Sequence, residues 1–346
     1  MKRLVILAVG GLLCAALARP AGALERVHYI AADEVLWNYA PHGKDLIAGK
    51  PLPALGPFQL GWVYHKLIYR EYTDGTFTTL RRRSPRDAYL GLVGPVIHAQ
   101  VGDTVVIVFR NHSRLPVNIA PGGMASNPRP KAVGPGGTQT YRWPIREQDG
   151  PGENDGSSIL YTYQSTVAQT ADENAGLIGP LIVTRWGSAR ADGSPKDVDQ
   201  EMVALFSTQV ETRSVFFQAN LADKTTNSKR IARHQSTLFV LSNAFPSING
   251  FSFGNMPIPE LRSGERVRWY LLSTQNDLDG HAATWDGATV ISQGNRMDTV
   301  SLVSPHMIAD MVPDNPGLWL LVCTLNVHLE AGMEARYRVV SDRGSR

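Results

Sequence analysis

The chain has 346 residues, and its 34 lysines and arginines slightly outnumber its 31 aspartates and glutamates. The formal net charge is +3, and residues 1–23 carry three bases, Lys2, Arg3 and Arg19, and no acid. The chain beyond residue 23 therefore has no net charge. A neutral chain gives no electrostatic reason to expect nucleic acid or an anionic membrane as a partner.

The first 23 residues have the pattern of an export signal. A basic start precedes the apolar residues 4–17, and residues 21–23 supply the small side chains that a signal peptidase requires. The apolar stretch is too short to span a bilayer comfortably, so no integral membrane segment is expected. Cys14 would carry a lipid in a lipoprotein, but bulky Leu13 precedes it where a small residue is needed. We therefore expect a cleaved signal and export to a periplasm or out of the cell.

After the leader, segments rich in β-branched and aromatic residues recur between turns of Gly, Pro, Asn and Asp, while long helical periodicity is scarce. Gly102 and Gly264 lie in turns just ahead of two such segments. The pattern predicts an all-β protein built from sandwiches. In chain order, the clearest predicted strands are residues 104–109, 160–167, 178–183, 266–272, 318–325 and 335–340.

The two halves of the chain resemble each other. Residues 174–177 and residues 330–333 share an Ala-Gly pair ahead of a strand, and another strand precedes each of them. Between the halves lies a small, charged, Gly/Pro-containing stretch that is typical of a linker. We therefore predict a first domain over residues 24–186, a linker over 187–199 and a second domain over 200–346.

Cys323 is the one cysteine outside the leader, so an intramolecular disulfide is impossible. A leftover cysteine in an exported protein is buried and inert, paired with another chain, or used chemically. Its surroundings favour chemistry, because Cys323, His328 and Met333 follow at intervals of five in a loop between two predicted strands, and His281 lies at the end of another strand.

Two imidazoles, one thiolate and a weak axial thioether are the ligands of a type 1 (blue) copper site. The sequence therefore predicts one copper held by His281, Cys323, His328 and Met333. Each residue also has a structural explanation, since a lone cysteine or methionine often fills core space and a single histidine often satisfies local hydrogen bonds. All four together favour the metal.

Residues 319–334 resemble the copper loop of the ceruloplasmin and hephaestin branch of the multicopper oxidases. The similarity covers nearly the whole chain after the leader and implies two tandem cupredoxin-like Greek-key β-sandwich domains. Coagulation factors V and VIII share such A-type domains, so the fold alone does not establish an activity. Further matching segments are residues 69–74, 90–95, 176–183, 248–251, 253–255 and 269–272.

The resemblance also shows what this chain lacks. A multicopper oxidase reduces dioxygen at a trinuclear copper cluster held by four His-x-His pairs, and one pair flanks the copper cysteine and carries electrons to the cluster. None of the eight matching positions is a histidine here, which implies that both the cluster and the electron route are absent. These positions are Ala120, Gly122, Gln164, Thr166, Thr284, Asp286, Val322 and Thr324.

The first domain is expected to be metal-free. The internal repeat places Ser165 opposite Cys323 and Leu177 opposite Met333, and no histidine occurs between Ser165 and Leu177. A hydroxyl and an isobutyl group cannot replace a thiolate and a thioether. We expect the remaining histidines to face solvent or to make local hydrogen bonds; they are His28, His42, His65, His98, His112, His234 and His306.

Two charged segments are expected to be solvated loops. Residues 147–155 are acidic but lack the spacing of an EF-hand, and residues 124–133, which correspond to the calcium segment of ceruloplasmin-like domains, contain no acid. The arginines of residues 81–86 form a basic run, for which a docking patch for an acidic partner is the less favoured interpretation.

The function that follows is one-electron exchange with a redox protein or a small reductant. In the resembling family the histidine of the copper loop lies nearest the surface, so His328 is the predicted point at which electrons arrive. Leu329, Ala331 and Gly332 would then form the docking patch around it.

Two alternatives remain open. The first is a copper-dependent oxidoreductase, similar to a multicopper oxidase or a nitrite reductase, with an unrecognised second site; two-domain enzymes of these kinds are homotrimers with catalytic copper between subunits. The second is a non-catalytic scaffold. The number of copper ions per chain separates the carrier from the oxidoreductase.

Overall fold

Strands form most of the regular structure, as the segments rich in β-branched and aromatic residues predict. The computed structural model describes residues 23–124, 130–223, 236–274 and 280–341. Within these ranges the strands form two four-stranded sheets in the first half and sheets of six and five strands in the second, beside a small two-stranded ribbon. The predicted all-β architecture of sandwiches is confirmed.

In the first half, β4-β1-β6-β8 form one sheet and β5-β10-β9-β7 form the other, and β2 pairs with β3 in the ribbon. The strands are β1 (Glu25–Asn38), β2 (Lys44–Asp45), β3 (Lys50–Pro51), β4 (Val63–Tyr72), β5 (Ile97–Gln100), β6 (Thr104–Asn111), β7 (Ala120–Pro121), β8 (Thr138–Pro144), β9 (Ser158–Gln164) and β10 (Ile178–Thr184). The helix α1 (Gln169–Ala175) connects β9 to β10, and short 3-10 helices cover Pro85–Leu90 and Glu147–Asp149.

In the second half, β12-β11-β14-β19-β16-β17 form one sheet and β13-β21-β20-β15-β18 form the other. The strands are β11 (Gln200–Val210), β12 (Ala244–Ile248), β13 (Glu260–Arg262), β14 (Val267–Ser273), β15 (Ala282–Trp285), β16 (Val290–Ser292), β17 (Asn295–Met297), β18 (Thr299–Ser301), β19 (His306–Met311), β20 (Gly317–Cys323) and β21 (Glu334–Val340). The helices are α2 (Phe217–Ala222), α3 (Thr237–Ser242) and α4 (Asn326–Glu330), with a 3-10 turn at Glu211–Arg213.

The two halves repeat one topology. The order β4-β1-β6-β8 corresponds to β12-β11-β14-β19, and β5-β10-β9-β7 corresponds to β13-β21-β20-β15. The parallel pairs recur as well, β1 with β6 and β5 with β10 in the first half, β11 with β14 and β13 with β21 in the second. The predicted repeat is therefore confirmed and extends through both sandwiches. The helices α1 and α4 were not predicted, because five to seven residues are too few to show helical periodicity.

Apolar side chains from both halves meet in a shared cluster. Tyr39 of the first half stacks on Phe245 of the second, with ring centroids 4.5 Å apart and an angle of 9° between the planes. Tyr64 packs edge-on against the same Phe245 ring at 5.2 Å. Aromatic contacts of this kind add to the area that each ring buries, so the halves are held by a hydrophobic contact.

A buried ion pair lies beside this cluster. Lys66 of β4 donates hydrogen bonds at 2.6 Å to the Glu211 carboxylate of the second half and to the carbonyl oxygen of Asn174. The hydroxyl of Tyr39 also donates to Glu211. Burial lowers the pKa of Lys66 and raises the pKa of Glu211, and the opposite charge of each partner offsets that shift. The pair therefore depends on both charges being present.

Several predicted features lie outside the described residues. These are the leader up to residue 22 with Cys14, residues 125–129 of the acid-free segment 124–133, and His234. Among the helices that the structure does describe, none is long and apolar enough to cross a membrane. Residues 187–199 connect β10 to β11 and pack on their surroundings, since Arg190 donates to the carbonyl of Val198 at 2.7 Å and Arg26 donates to that of Ala191 at 3.0 Å.

Candidate metal centre

The last residue of β20 and the loop that leads to β21 carry three of the four predicted ligands, and the loop is closed by its own backbone. The amide of Cys323 donates to the carbonyl of Met333 at 3.0 Å, and the amide of Met333 donates to the carbonyl of His328 at 2.9 Å. Gly332 has φ of +89°, and a Cβ atom there would lie 2.6 Å from the ring of Phe253. Both the conformation and the space therefore require glycine.

The fourth predicted ligand, His281, comes from the chain just ahead of β15, which pairs with β20. Ala283 lies opposite Cys323 in this pairing. The amide of Thr324 donates to the carbonyl of Ala282 at 3.2 Å, and the amide of Leu302 donates to the carbonyl of His281 at 2.8 Å. The sheet thus fixes the backbone of His281 beside the cysteine.

Three side-chain donor atoms converge at this end of the sandwich. The Nδ1 atoms of His281 and His328 are 3.2 Å apart, and the Sγ atom of Cys323 lies 3.5 Å from Nδ1 of His328 and 4.0 Å from Nδ1 of His281. The side chains of all three are buried. No other group of three His, Cys, Asp or Glu residues within the described ranges brings its ligand atoms this close.

These distances fit a small soft metal ion. Donor atoms at about 2.0–2.3 Å from a trigonal centre lie roughly 3.5–4 Å from one another, which is close to the separations of the three atoms here. The donors are one sulfur and two imidazole nitrogens, which suit copper or zinc and exclude calcium and magnesium, since those ions need oxygen ligands. Met333 is fully buried on the same loop, as an axial thioether requires.

The electrostatic surroundings favour the ligating forms. Burial, and then the neighbouring His328 ring, lower the pKa of His281 to about 4. The ring is therefore neutral near pH 7, which leaves a nitrogen lone pair available. The sulfur of Cys323 accepts a hydrogen bond from the amide of Ala282 at 3.4 Å. Such bonds at a ligand sulfur are one means by which a protein tunes the potential of a metal site.

The loop of the first half repeats these hydrogen bonds without the metal ligands. The amide of Asn118 lies 3.5 Å from Oγ of Ser165, as the amide of Ala282 lies 3.4 Å from Sγ of Cys323. The first half therefore places a serine hydroxyl where the second half places the thiol.

A second pair of bonds extends this correspondence. The amide of Leu177 donates to the carbonyl of Asp172 at 3.1 Å. In the same way, the amide of Met333 donates to the carbonyl of His328. The Oγ of Ser165 then donates directly to Oδ2 of Asp172 at 2.6 Å. One hydroxyl–carboxylate hydrogen bond therefore joins the two positions at which the second half carries Cys323 and His328.

The eight positions that correspond to trinuclear ligands are distributed over both halves. In the first half Ala120 lies opposite Gln164, and in the second Thr284 lies opposite Val322. The hydroxyls of Thr284 and Thr299 are 2.8 Å apart. Gly122, Thr166, Asp286 and Thr324 complete the eight, and none of them offers an imidazole.

The other described histidines make local polar contacts, as the sequence predicts. Each has an acidic, amide or hydroxyl neighbour within 3.2 Å: His28 with Glu71, His42 with Asn255, His65 with Asp223, His98 with Glu201, His112 with Asp33 and His306 with Thr162.

The charged loops are ordered by their own side chains. Asp149 accepts a hydrogen bond from the amide of Arg146 at 3.0 Å, and Asp155 accepts one from the amide of Gly152 at 2.8 Å. The basic run of residues 81–86 is exposed, as predicted, and the guanidinium of Arg83 donates to the carbonyls of Gly91 and Val93, which anchors the loop.

The predicted surface position of His328 is wrong. This residue is 3% exposed, the same fraction as His281. Gly332 is buried under Phe253, and Leu329 and Ala331 are half-buried. The exposed apolar side chains on this loop are instead Leu325 at 37% and Val327 at 61%.

Sequence reasoning missed Thr208, whose Oγ1 lies 3.5 Å from Nε2 of His328. Thr208 belongs to β11, in the sheet opposite the one that carries the loop between β20 and β21. From Met202 to Val210 every residue of β11 is buried, so no alternation distinguishes the face that meets the loop. No sequence signal for this contact was available.

The comparisons with known proteins agree with the resemblance. A family model described as multicopper oxidase matches residues 225–343. Ferroxidase HEPHL1 of Mus musculus is 35% identical over 94% of this chain, and ceruloplasmin of Mus musculus is 36% identical over 91%. Hephaestin of Mus musculus is 34% identical over 91%. The alignments cover 30%, 32% and 29% of these relatives, so the chain spans about a third of their length.

Solved structures share the fold at lower identity. A blue copper oxidase from Nitrosomonas europaea superposes with a TM-score of 0.58 at 16% identity, covering 91% of this chain and 86% of that chain. A copper nitrite reductase from the same organism gives 0.60 at 15% identity, covering 92% and 95%. From its sequence relatives, the chain belongs to the ceruloplasmin- and hephaestin-like multicopper oxidase family.

Proposed function

We propose that this chain is an exported electron-transfer protein with one type 1 copper bound by His281, Cys323, His328 and Met333. The observation that carries the proposal is the convergence of two imidazole nitrogens and one thiol sulfur within 4.0 Å of one another in a buried site. Family membership supports copper as the metal, and the ligand set supports the type 1 class.

A copper ion bound there would supply a one-electron couple between Cu(II) and Cu(I). The chain's own contribution is a rigid frame, because β15 and β20 fix the backbones of His281 and Cys323 and the loop bonds fix Met333. A frame that holds the ligands alike in both oxidation states requires little reorganisation, which favours rapid electron exchange.

The same proposal assigns no oxygen-reducing site. None of the eight positions of the trinuclear ligands carries histidine, and this includes Val322 and Thr324 on either side of Cys323. Two of the relatives are named ferroxidases, but this chain spans about a third of their length and lacks those residues. We therefore assign it a redox protein or a small reductant as partner, without an oxidase activity.

Electrons would arrive beside the copper loop. Since His328 is covered, the exposed side chains of Leu325 and Val327 offer the apolar surface at which a partner would dock. Leu329, Ala331 and Gly332, the patch favoured by the sequence, are too covered to serve alone.

The proposal also includes the organisation of the chain. The repeated topology supports a metal-free first domain over residues 24–186, a connection over 187–199 and a copper domain over 200–346. The apolar leader supports export to a periplasm or beyond the cell. A homotrimer with further copper between subunits belongs to the alternative, a copper-dependent oxidoreductase.

A visible absorption spectrum of the mature protein with Cu(II), recorded with a metal count, tests the proposal. We expect an intense blue or green thiolate-to-copper band, one copper per chain, and loss of the band in Cys323→Ser. Several copper ions per chain would favour the oxidoreductase. A colourless protein that binds no copper would overturn the proposal and leave a scaffold.

A further inference from the structure

We propose that Thr208 is a positioning residue, which holds His328 in the tautomer and orientation that direct its Nδ1 atom into the metal site. This inference rests on the proposed function for its purpose, although the contact itself involves only two side chains of this chain. It adds a residue from the opposite sheet to a site that is otherwise built from β15, β20 and the copper loop.

The first step of the argument is geometric. Thr208 is 6% exposed, and its Oγ1 atom lies 3.5 Å from Nε2 of His328. On the other side of the same ring, Nδ1 lies 3.2 Å from Nδ1 of His281 and 3.5 Å from Sγ of Cys323. The hydroxyl and the other two ligands thus approach opposite nitrogens of His328.

The second step concerns the proton. A neutral imidazole carries one proton, and the nitrogen that lacks it supplies the lone pair for a metal. If Nε2–H donates to Thr208, the lone pair is on Nδ1 and points towards Cys323. Metal-binding histidines commonly donate their other N–H in this way, which fixes both tautomer and ring orientation.

The third step is the difference between the two imidazoles. Side chains two residues apart on a strand share a face, so Phe206 and Thr208 both point from β11 towards the site. The ring of Phe206 lies 6.4 Å from the ring of His281, centroid to centroid. From β11, therefore, an aromatic ring packs near His281, while a hydroxyl meets one specific nitrogen of His328.

A packing role for Thr208 predicts a different response to substitution. Thr208→Val keeps the shape and removes the hydroxyl, whereas Thr208→Ser keeps the hydroxyl and removes a methyl group. If only the shape of Thr208 matters, Thr208→Val should disturb the site less than Thr208→Ser. If the hydrogen bond matters, Thr208→Ser should disturb it less.

The deciding measurement is nitrogen-15 NMR of histidine-labelled, metal-free protein at a pH well above the ordinary histidine pKa. We expect His328 to have its proton on Nε2 in the wild type and in Thr208→Ser. In Thr208→Val we expect a substantial population with the proton on Nδ1. A wild-type tautomer in the valine variant, with its thermal unfolding intact, would overturn the inference.

Copper binding provides the second readout. Loss of an outer partner of a ligand histidine typically lowers metal affinity about 10- to 100-fold, so we expect a loss of that size in Thr208→Val and a few-fold change at most in Thr208→Ser. Equal affinities in the two variants would contradict the positioning role. If the wild type binds no copper, the proposed function fails, while the NMR result still decides whether Thr208 sets the tautomer.

Discussion

At the scale of single residues, Met333 and Leu177 occupy matching places in the two halves. Each amide donates to the carbonyl five residues earlier, and each side chain is fully buried. The first half thus shows that this loop accepts leucine without losing its backbone bonds. The proposed function gives the thioether of the second half a role as weak ligand, beyond the packing that leucine already provides in the first half.

Replacing Met333 by leucine should separate these roles. We expect Met333→Leu to retain the blue band and to raise the reduction potential, because the axial ligand tunes the potential of type 1 copper. The free energy of unfolding should change by less than about 1.5 kcal/mol, as for other volume-conserving core exchanges. Redox titration and urea unfolding measure the two effects. An unchanged potential would show that the sulfur is no ligand.

Val327 permits a test of the docking surface. Its side chain is 61% exposed and it precedes His328, so Val327→Asp should slow electron exchange with a redox partner while leaving the copper spectrum unchanged. The control is Leu36→Asp, which charges a similarly exposed apolar residue of the first half, at 66%. Stopped-flow kinetics with a soluble redox protein compare the two. Equal rates for both variants would rule out the assigned surface.

At the scale of elements, the spacing of Cys323 and His328 predicted that they would meet at one end of a sandwich, because a loop between two strands brings such residues together. The structure places both beside His281. The burial of His328 and its contact with Thr208 could not be predicted. They depend on how β11 of the opposite sheet covers the loop, and a strand that is buried on both faces carries no pattern to reveal this.

The turn into β21 depends on glycine for two reasons that can be measured separately. Gly332 and Gly264 have similar positive φ angles of +89° and +84°, but a Cβ atom at Gly332 would meet the ring of Phe253 while one at Gly264 would meet nothing within 4 Å. We expect Gly264→Ala to cost about 1 kcal/mol from backbone strain, and Gly332→Ala to cost roughly 1–3 kcal/mol more from overpacking. Equal losses in urea unfolding would show that Phe253 moves aside freely.

At the scale of the whole molecule, the ion pair between Lys66 and Glu211 joins the halves in an environment that water does not reach. Removing one partner of such a pair leaves an unpaired buried charge, so Lys66→Met should lower the free energy of unfolding by roughly 3–5 kcal/mol. The double variant with Glu211→Leu should recover much of that loss. Denaturant unfolding of the single and double variants measures the coupling, and additive losses would contradict it.

His306 makes the contact between the halves sensitive to acid. Its Nε2 atom lies 3.2 Å from the hydroxyl of Thr162 in the first half, and burial lowers its pKa to about 4. The folded state therefore resists a proton that the unfolded chain accepts at its ordinary pKa near 6.5. The neutral His306 ring therefore contributes to the free energy of unfolding above pH 6.5. That contribution, up to about 3 kcal/mol, is lost as the pH falls towards 4.

Unfolding of the metal-free protein across this pH range tests that expectation. In the His306→Gln variant, the free energy of unfolding should fall less steeply between pH 6.5 and pH 4 than in the wild type. An unchanged slope would assign the acid sensitivity to other groups, of which His281 is the first candidate because its pKa is lowered to a similar value.

The compact arrangement of the copper loop has a consequence for the unfolded chain. Cys323, His328 and Met333 lie so near one another in sequence that a chain without any sandwich can still wrap them around one ion. An ion that also binds the unfolded state stabilises the folded state by less than its affinity for the folded state implies. Copper should therefore raise the midpoint of thermal unfolding by less than an ion that binds only the folded state through four ligands. It should also be captured by chains that have not yet folded, with His281 completing the site only when β15 pairs with β20.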